Sequence, residues 1–116
     1  MSILSWLFGA CANHDNVVSV DALTFAKAIR SERVQLIDVR TEAEFAEAKI
    51  EYARNVDVLQ PAFMERVRPL LDKNKKVYVY CRSGKRSMTA AKQLASEGFK
   101  VVNLKGGIME WQQTNP

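Results

Sequence analysis

Cys81 lies in a sequence context that favours a reactive thiolate. It follows Val77–Tyr80, a run of Val and Tyr typical of a buried strand, and it precedes an apolar stripe at helical spacing over residues 86–97. Gly84 allows backbone angles closed to other residues, so successive N–H groups of the turn can converge on one anion. The start of the helix adds its dipole and its free N–H groups. We therefore predict that this turn stabilises a negatively charged sulfur.

Basic and hydroxyl side chains follow Cys81 within the same turn. Arg82, Lys85 and Arg86 supply positive charge, and Ser87 can cap the helix or donate to the sulfur. The turn is therefore predicted to bind an anion above the cysteine. Two alternatives stay open: a structural buried thiol at Cys81 and, for Lys85, a plain solvated charge.

The rest of the sequence offers this cysteine no partner for hydrolytic or metal chemistry. The sole histidine is His14, and the chain contains no CxxC pair. We expect no Cys–His hydrolase, no metal site and no cofactor. Cys11 could resolve a modified Cys81 as a disulfide, although an inert thiol in a mobile tail is the favoured interpretation. Both cysteines are interpreted as reduced thiols, which fits a cytoplasmic protein.

Length and composition indicate one compact domain. The chain has 116 residues, 47% of them apolar and 26% charged, with 17 Lys and Arg against 13 Asp and Glu. The excess of positive charge can attract small anions or acidic partners. The basic residues are scattered except at Lys73, Lys75 and Lys76 and in the turn after Cys81, so we do not expect nucleic acid to bind. A monomer is the default prediction.

The first residues are almost entirely apolar. Residues 1–12 read MSILSWLFGACA, and the first Lys or Arg is Lys27. The run is too short to span a bilayer and lacks the basic start of a secretory signal, so export, or lipidation at Cys11, is a minor alternative. We predict a short amphipathic helix or a mobile tail over residues 1–16. It could pack on the domain, pair with another copy or lie on a membrane surface, and membrane contact is not favoured.

Strand and helix patterns alternate from Val17 onward, along one predicted domain of residues 17–116. Predicted strands cover residues 17–20, 34–39, 55–58, 77–80 and 100–104. Alternating strands and helices predict a parallel sheet covered on both faces. Ligands bind such sheets at the carboxyl ends of the strands, where Cys81 lies.

Five helices are predicted between and after these strands. The first runs from a cap at Asp21 or Ser19 to about Arg30. The second covers residues 42–48, with Thr41 as N-cap and Glu44 in the capping box, and the third begins at Pro61. The fourth covers residues 86–97 and ends at Gly98, and the fifth follows a turn at residues 106–107. The first is predicted to bury Leu23, Ala26 and Ile29, and the third to bury Phe63, Val67, Leu70 and Leu71.

Several stretches of the sequence resemble motifs of the rhodanese (sulfurtransferase) family. The segment CRSGKRS, from Cys81 to Ser87, resembles the active-site loop of that family. The other stretches are Asp38-Val39-Arg40 with Glu44-Phe45, Asn55-Val56, and Gly106-Gly107 with Trp111. The likeness spans about residues 17–111. It implies the rhodanese α/β fold, a five-stranded parallel sheet with helices on both faces.

One stretch departs from the family pattern. Where the family usually has Gly-His-Ile followed closely by Gly-Ala, this chain has Ala48-Lys49-Ile50 and Tyr52-Ala53. The fold can survive this change because Ile50 and Ala53 remain. The change concerns the local turn and any substrate contact from that edge, and it does not touch the Cys81 loop.

The resemblance implies a two-step sulfur transfer. Thiolate Cys81 attacks the outer sulfur of an anionic donor such as thiosulfate, sulfite leaves, and the loop holds the resulting persulfide. An acceptor then takes the outer sulfur, either cyanide in vitro or a thiol or protein cysteine in a cell. The predicted substrate-binding residues are Arg82, Ser83, Gly84, Lys85, Arg86, Ser87 and Arg40. Among them, Arg82 and Lys85 are predicted to bind the donor, and Arg86 to orient the loop.

Other polar residues have predicted supporting roles. Asp38 ends a buried strand, so we predict that it is hydrogen-bonded there and supports the neighbouring loop. For Arg40, which could face the pocket, the functional and the structural interpretations both stay open. Glu44 is interpreted as a helix cap rather than an acid catalyst, and Trp111 as a core residue.

Two other functions compete with sulfur transfer. Cysteine phosphatases and arsenate reductases use a similar loop, but cysteine phosphatases need five residues between Cys and Arg, whereas here residue 87 is Ser and Arg86 is one place short. The second alternative is a rhodanese-fold sulfur-relay or protein-interaction module with little free thiosulfate activity, docked through residues 1–15. A non-catalytic module is expected to lack the cysteine or the basic loop, and this chain has both.

Overall fold

The computed structural model describes residues 16–116, which form one parallel β-sheet between two layers of helices. The strands are β1 (Val17–Val20), β2 (Gln35–Asp38), β3 (Arg54–Asn55), β4 (Val77–Tyr80) and β5 (Val101–Leu104). The helices are α1 (Ala22–Ser31), α2 (Glu42–Glu47), α3 (Phe63–Val67), α4 (Lys85–Ser96) and α5 (Gly107–Thr114), with a 3-10 turn at Arg68–Leu70. The strand order is β1-β5-β4-β2-β3. The predicted five-stranded parallel sheet with helices on both faces is therefore confirmed.

The two faces of the sheet carry two apolar clusters, because successive side chains of a strand point to opposite faces. On one face Val79 and Val101 pack with α3 and α4. On the other face Tyr78 and Val102 pack with α1 and α5. All four residues of β4 and of β5 are buried, as expected for strands covered on both sides.

Helix α1 buries a different stripe from the predicted one. Its buried residues are Ala22, Phe25, Ala26 and Ile29, whereas Leu23 is 62% exposed. The prediction for Ala26 and Ile29 is confirmed, and the prediction for Leu23 is wrong. Phe25 was missed, although it lies at the centre of the observed i, i+3, i+4, i+7 stripe and packs edge-to-face on Tyr78 at a centroid distance of 5.6 Å.

Helix α3 starts later than predicted. Pro61 lies in the preceding turn, and the cap is Ala62, whose φ of 66° is left-handed. The helix therefore begins at Phe63, which is buried together with Val67. Leu70 and Leu71 pack against the same cluster, although they are only partly buried.

The two helix caps read from the sequence are present. The Asp21 carboxylate accepts a hydrogen bond from the amide of Thr24 at 2.9 Å. The Thr41 hydroxyl accepts from the amide of Glu44 at 3.2 Å, and the Glu44 carboxylate accepts from the amide of Thr41 at 3.0 Å. This reciprocal capping box fixes where α2 begins.

The stretch that departs from the family pattern still forms a closed turn. Ile50 and Ala53 are buried, and the amide of Ala53 donates to the carbonyl of Ile50 at 3.0 Å. The hydroxyl of Tyr52 donates to the carbonyl of Ile29 and accepts from the amide of Val34 at 3.1 Å. Tyr52 thus ties the turn to the end of α1 and the start of β2.

Trp111 is half-buried rather than fully within the core. Its ring packs edge-to-face on Phe25 at a centroid distance of 6.4 Å, and the guanidinium of Arg30 lies 5.3 Å from the ring centroid. Across residues 16–116, no helix combines the length and the apolar character needed to cross a membrane.

Candidate functional site

Cys81 is the first residue after β4, at the carboxyl end of the sheet. It is 1% exposed and packs in the cluster that faces α3 and α4. Its Sγ atom nevertheless has a polar contact, because the amide of Gly84 donates a hydrogen bond to it at 3.1 Å. Among the loop N–H groups predicted to converge on the sulfur, the N–H of Gly84 lies within hydrogen-bond distance of it.

Gly84 has a backbone shape that only glycine accommodates at this position. Its φ is +102°, and a Cβ atom would lie 2.0 Å from the carbonyl oxygen of Lys105. The residue is also the cap of α4, so it turns the chain from the loop into the helix. The close approach to Lys105 brings the loop against the end of β5.

The N-terminus of α5 hydrogen-bonds to two backbone carbonyls of the Cys81 loop. The amide of Ile108 donates to the carbonyl of Cys81 at 2.9 Å, and the amide of Met109 donates to the carbonyl of Arg82 at 3.1 Å. Gly107 allows this contact, because its φ is +66° and a Cβ there would lie 2.1 Å from the Arg82 oxygen. The carbonyls of Cys81 and Arg82 therefore point toward α5, and this contact does not use the N–H groups of the loop.

The amides of this loop are open to a ligand. Within residues 16–116, the N–H groups of Arg82, Ser83, Lys85 and Arg86 donate to no protein acceptor. Three of these residues, Arg82, Ser83 and Lys85, are exposed. Lys85 and Arg86 are the first two residues of α4, so two of these four amides are the unsatisfied N–H groups of its first turn, and the set forms a surface suited to an anion.

Arg86 forms a bidentate ion pair with Glu44 of the α2 capping box. The two guanidinium nitrogens lie 2.8 and 3.0 Å from the two carboxylate oxygens. The hydrogen bond from Arg86 lowers the pKa of Glu44 from 4.5 to about 2, and the pKa of Arg86 is raised mainly by the same bond. A negative charge on Cys81 would act in the same direction on the pKa of Arg86, but more weakly than Glu44 does.

Ser87 bonds elsewhere than at the sulfur. It is fully buried, and its hydroxyl lies 2.6 Å from Oδ1 of Asn103 and 3.2 Å from the carbonyl of Gly84. Asn103 in turn donates to the hydroxyl of Ser19 at 3.1 Å. The N-cap of α4 is Gly84, so Ser87 neither caps the helix nor bonds to Sγ; instead it joins α4 to β5 and β1.

Asp38 and Arg40 form an ion pair that is almost completely buried. Asp38 is 0% and Arg40 4% exposed, and Nη2 of Arg40 lies 2.6 Å from Oδ2 of Asp38. Arg40 also donates to the carbonyl of Ala48 at 2.5 Å. The backbone carbonyl of Asp38 accepts from the amide of Val56 and from the side chain of Asn55, both at 3.0 Å, which joins the end of β2 to the segment after β3. The guanidinium of Arg40 is therefore used within the fold.

A groove of about 450 Å³ lies beside α2, lined partly by Thr41, Asn55, Asp57 and Arg66. Cys81 is not among its lining residues, so we assign the reacting atoms to the loop and not to this groove. Within residues 16–116, no three His, Cys, Asp or Glu side chains are grouped to hold a metal ion. Cys11 and His14 lie outside the described residues.

The sequence-family model described as "Rhodanese-like domain" matches residues 21–114 of this chain. "Putative sulfurtransferase YtwF" of Bacillus subtilis is 44% identical over 87 residues, which cover 73% of this chain and 81% of that protein. "Thiosulfate sulfurtransferase 18" of Arabidopsis thaliana is 35% identical over 109 residues, covering 84% of this chain and 79% of that protein. Among solved structures, a rhodanese-related protein from Thermoplasma volcanium has a TM-score of 0.71 and 26% identity, covering 83% of this chain and 91% of that one.

Proposed function

Because the chain belongs to the rhodanese-like family, we propose that it is a sulfurtransferase in which Cys81 carries the transferred sulfur as a persulfide. The observation that carries this proposal is the hydrogen bond from the Gly84 amide to Sγ of Cys81, within a loop whose other amides are open. Such amide donors are suited to hydrogen-bond the outer sulfur of a persulfide when it carries negative charge.

In the first step, the Cys81 thiolate attacks the outer sulfur of thiosulfate. A new S–S bond forms, the original bond to the sulfonate sulfur breaks, and its electron pair leaves with sulfite. The transferable sulfur then lies about 2 Å beyond Sγ. Its negative charge can be met by the open amides of Ser83, Lys85 and Arg86.

In the second step, a nucleophilic acceptor attacks the outer sulfur and the Cys81 thiolate leaves. Cyanide serves as the acceptor in vitro, and a small thiol or a cysteine of a partner protein serves in a cell. No proton transfer at Cys81 is needed if the thiolate persists through the cycle, so this scheme uses no histidine base.

Arg82 and Lys85 are the side chains that attract the dianionic donor in this proposal. Both are exposed, and within residues 16–116 neither has a carboxylate within ion-pair distance. Ser83 and Gly84 contribute backbone groups, and Arg86 orients the loop through Glu44. Ser87, Asp38 and Arg40 act through the fold that supports the loop.

The proposal is tested by incubating the protein with thiosulfate and measuring intact mass and sulfite release. The wild type should gain one sulfur atom per chain and release sulfite, and cyanide should then remove the added mass. Cys81→Ser should do neither, whereas the matched control Cys11→Ser should behave as the wild type. A sulfur adduct on Cys81→Ser, or its absence from the wild type, would sink the assignment.

A further inference from the structure

The groove of about 450 Å³ beside α2 opens at the carboxyl end of the sheet, on the same edge as Cys81. Thr41 follows β2, and Asn55 and Asp57 lie at the end of β3, whereas Cys81 follows β4. β2 stands between β3 and β4, so the groove and the cysteine are neighbours along this edge. We call it the α2 groove, and its lining residues are Thr41, Glu42, Ala43, Asn55, Asp57, Gln60 and Arg66.

Two backbone hydrogen bonds define the separation between Asp57 and Cys81. The amide of Val58 donates to the carbonyl of Val39 at 3.1 Å, and the amide of Val39 donates to the carbonyl of Tyr80 at 3.0 Å. Val58 is the next residue after Asp57, and Tyr80 is the residue before Cys81. Two strand spacings therefore separate the two backbones, which is about 10 Å.

The capping box of α2 connects the groove to the Cys81 loop. Thr41 lines the groove, and its amide donates to Oε1 of Glu44 at 3.0 Å. The same carboxylate oxygen accepts from Nη1 of Arg86 at 2.8 Å, and Arg86 belongs to the loop. One wall of the groove is therefore hydrogen-bonded to the segment that surrounds the sulfur.

Asp57 contributes a nearly buried carboxylate to the α2 groove. The residue is 8% exposed, and its Oδ1 accepts from the amide of Leu59 at 2.8 Å. Among residues 16–116, Oδ2 accepts no hydrogen bond, and no cationic side chain lies within 4.0 Å of this carboxylate. Burial of a carboxylate is costly unless its oxygens are paired, so Oδ2 indicates a donor that the described chain does not supply.

Arg66 contributes a cation to the same groove. It is exposed, and in the part of the chain that the structure describes it has no carboxylate within 4.0 Å. Asp57 and Arg66 therefore share one groove as opposite charges that do not pair with each other. Glu42 adds a second carboxylate to the lining. The groove thus has one place for an ammonium group and a separate place for a carboxylate.

On the basis of the proposed sulfur transfer, we propose that the α2 groove binds the acceptor, and that the acceptor is a small thiol with an α-amino acid group. Its ammonium donates to Asp57, Arg66 donates to its carboxylate, and its sulfur extends toward Cys81. The span of about 10 Å suits a small molecule, because the persulfide bond takes up about 2 Å and the approach of the attacking sulfur about 3–3.5 Å. A groove of this volume is of the size that holds small ligands.

A cysteine inside a polypeptide chain fits the groove less well. Its nitrogen and its carbonyl carbon belong to peptide bonds, so it presents neither an ammonium group nor a carboxylate. Oδ2 of Asp57 would then remain without a cationic donor. The free amino acid group is therefore the feature that the groove recognises.

The acceptor step transfers one sulfur atom without an added oxidant. The acceptor thiol loses its proton to solvent, and its sulfur attacks the outer sulfur of the Cys81 persulfide. A new S–S bond forms, the bond between the outer sulfur and Sγ breaks, and its electron pair returns to Cys81 as the thiolate. The product is the persulfide of the acceptor.

The test begins with protein loaded by thiosulfate and then desalted, and it measures the single-turnover loss of the added sulfur. The acceptors are L-cysteine, N-acetyl-L-cysteine, which lacks the ammonium, L-cysteine methyl ester, which lacks the carboxylate, and cyanide, which lacks both. Their intrinsic reactivities differ, so each rate in a variant is compared with the wild-type rate for the same acceptor. Circular dichroism checks that each variant is folded.

Asp57→Asn should slow transfer to L-cysteine and to its methyl ester about 10- to 100-fold, which corresponds to the loss of a hydrogen bond to a charged group. Transfer to N-acetyl-L-cysteine and to cyanide should be nearly unchanged. Asparagine keeps an oxygen for the amide of Leu59. The matched control is Asp72→Asn, because Asp72 accepts from the amide of Asn74 at 2.9 Å in the same local arrangement but lies before β4, at the other end of the sheet. It should leave all four rates unchanged.

Arg66→Gln should give the complementary pattern. Transfer to L-cysteine and to N-acetyl-L-cysteine, which both have the carboxylate, should slow about two- to fivefold, because an exposed ion pair contributes little. Transfer to the methyl ester and to cyanide should be nearly unchanged. The two variants thus separate the recognition of the ammonium from that of the carboxylate.

Cyanide separates failure of this proposal from failure of the proposed sulfur transfer. If the wild type forms no persulfide that cyanide can discharge, sulfur transfer itself is refuted and the acceptor site with it. If cyanide discharges the persulfide but Asp57→Asn slows all four acceptors equally, or none of them, the acceptor site alone is refuted. In the second case, Oδ2 of Asp57 is met by solvent and recognises no acceptor.

Discussion

Glu44 and Arg86 are 42 residues apart in the chain, yet their side chains are joined by two hydrogen bonds of 2.8 and 3.0 Å. Glu44 belongs to the capping box of α2, and Arg86 to the first turn of α4 beside Cys81. The pair thus joins Arg86 in the loop to α2, a helix whose start is fixed by its own capping box. Its consequences can be measured separately from the chemistry of the thiol.

Glu44→Gln is expected to loosen the loop without uncapping α2, because glutamine serves equally well in a capping box. We expect kcat/KM for thiosulfate to fall, because a catalytic group misplaced by about 1 Å can lose about 100-fold in rate. Steady-state kinetics check this. The matched control is Glu47→Gln, on an exposed residue of the same helix, and equal losses in the two variants would refute the role of the ion pair.

The same pair predicts a pH dependence of stability. The pKa of Glu44 is lowered from 4.5 in the unfolded chain to about 2 in the fold, so the unfolded state binds the proton more readily. The extra stability of the wild type over Glu44→Gln should therefore be complete above about pH 4.5, decline as the pH falls, and vanish near pH 2. Urea unfolding of both proteins between pH 2 and about 6 measures this difference. A difference that does not change with pH over this window would contradict it.

Gly84→Ala should be much more harmful than Gly98→Ala. Both glycines have positive φ, +102° and +95°, so both substitutions cost about 1–2 kcal/mol of backbone strain. At Gly84 the new Cβ would also lie 2.0 Å from the Lys105 oxygen, whereas at Gly98 its nearest neighbour is a Lys73 side-chain atom at 3.8 Å. We expect Gly84→Ala to lose sulfur transfer and an additional amount of unfolding free energy, and Gly98→Ala to keep transfer. Thermal unfolding measures the loss of stability in each variant, and the thiosulfate assay measures sulfur transfer.

Ser87→Ala tests whether the hydroxyl serves the fold or the sulfur. Removal of the hydroxyl leaves the buried Oδ1 of Asn103 without its 2.6 Å donor, which should cost about 1–3 kcal/mol of unfolding free energy. If the role is structural, the folded variant should form the persulfide at nearly the wild-type rate well below its melting temperature. A loss of rate without a loss of stability would instead indicate contact with the sulfur. Ser96→Ala, at an exposed hydroxyl in the same helix, is the control.

The buried pair of Asp38 and Arg40 should be far more sensitive than the exposed pair of Arg68 and Glu97. Asp38→Asn leaves the Arg40 guanidinium charged at 4% exposure, and breaking a buried pair in this way costs about 3–5 kcal/mol. Glu97→Gln breaks a similar bidentate contact, with distances of 2.8 and 2.9 Å, at a surface open to solvent. We expect that change to have little effect. Chemical denaturation of both variants compares them, and similar losses would contradict the assignment.

Arg82→Ala and Lys85→Ala should raise KM for thiosulfate several-fold, with little change in stability, because both side chains are exposed beside the loop. The effect should shrink at high salt, as the attraction of a dianion is screened. Lys92→Ala, farther along α4, is the control. An unchanged KM in both loop variants would show that these charges are only solvated surface.

Sequence reasoning succeeded where the interactions are local. The Thr41 and Glu44 capping box, the end of α4 before Gly98 and the bounds of β4 each depend on residues within a few positions of one another. The apolar pattern of β4 was sufficient to place Cys81 at the carboxyl end of a buried strand.

It failed where tertiary contacts decide. The partner of Arg86 lies 42 residues away, and the partner of Ser87 lies 16 residues away on another strand, so neither contact has a signal in local spacing. Helix α3 starts at Phe63 because Ala62 adopts a left-handed φ of 66°, a conformation that its residue type does not suggest. The phase of α1 was misjudged because Leu23 and Ala22 are adjacent apolar residues, and packing on the sheet selects only Ala22.

The contact between the Cys81 loop and α5 also sets when the site can exist during synthesis. Cys81 is synthesised before Ile108 and Met109, whose amides bind the loop carbonyls, and before β5, which lies between β1 and β4. Until Met109 has left the ribosome, the nascent chain contains the cysteine but not the amides that hold its loop. The loop can therefore take its folded shape only after α5 has been translated.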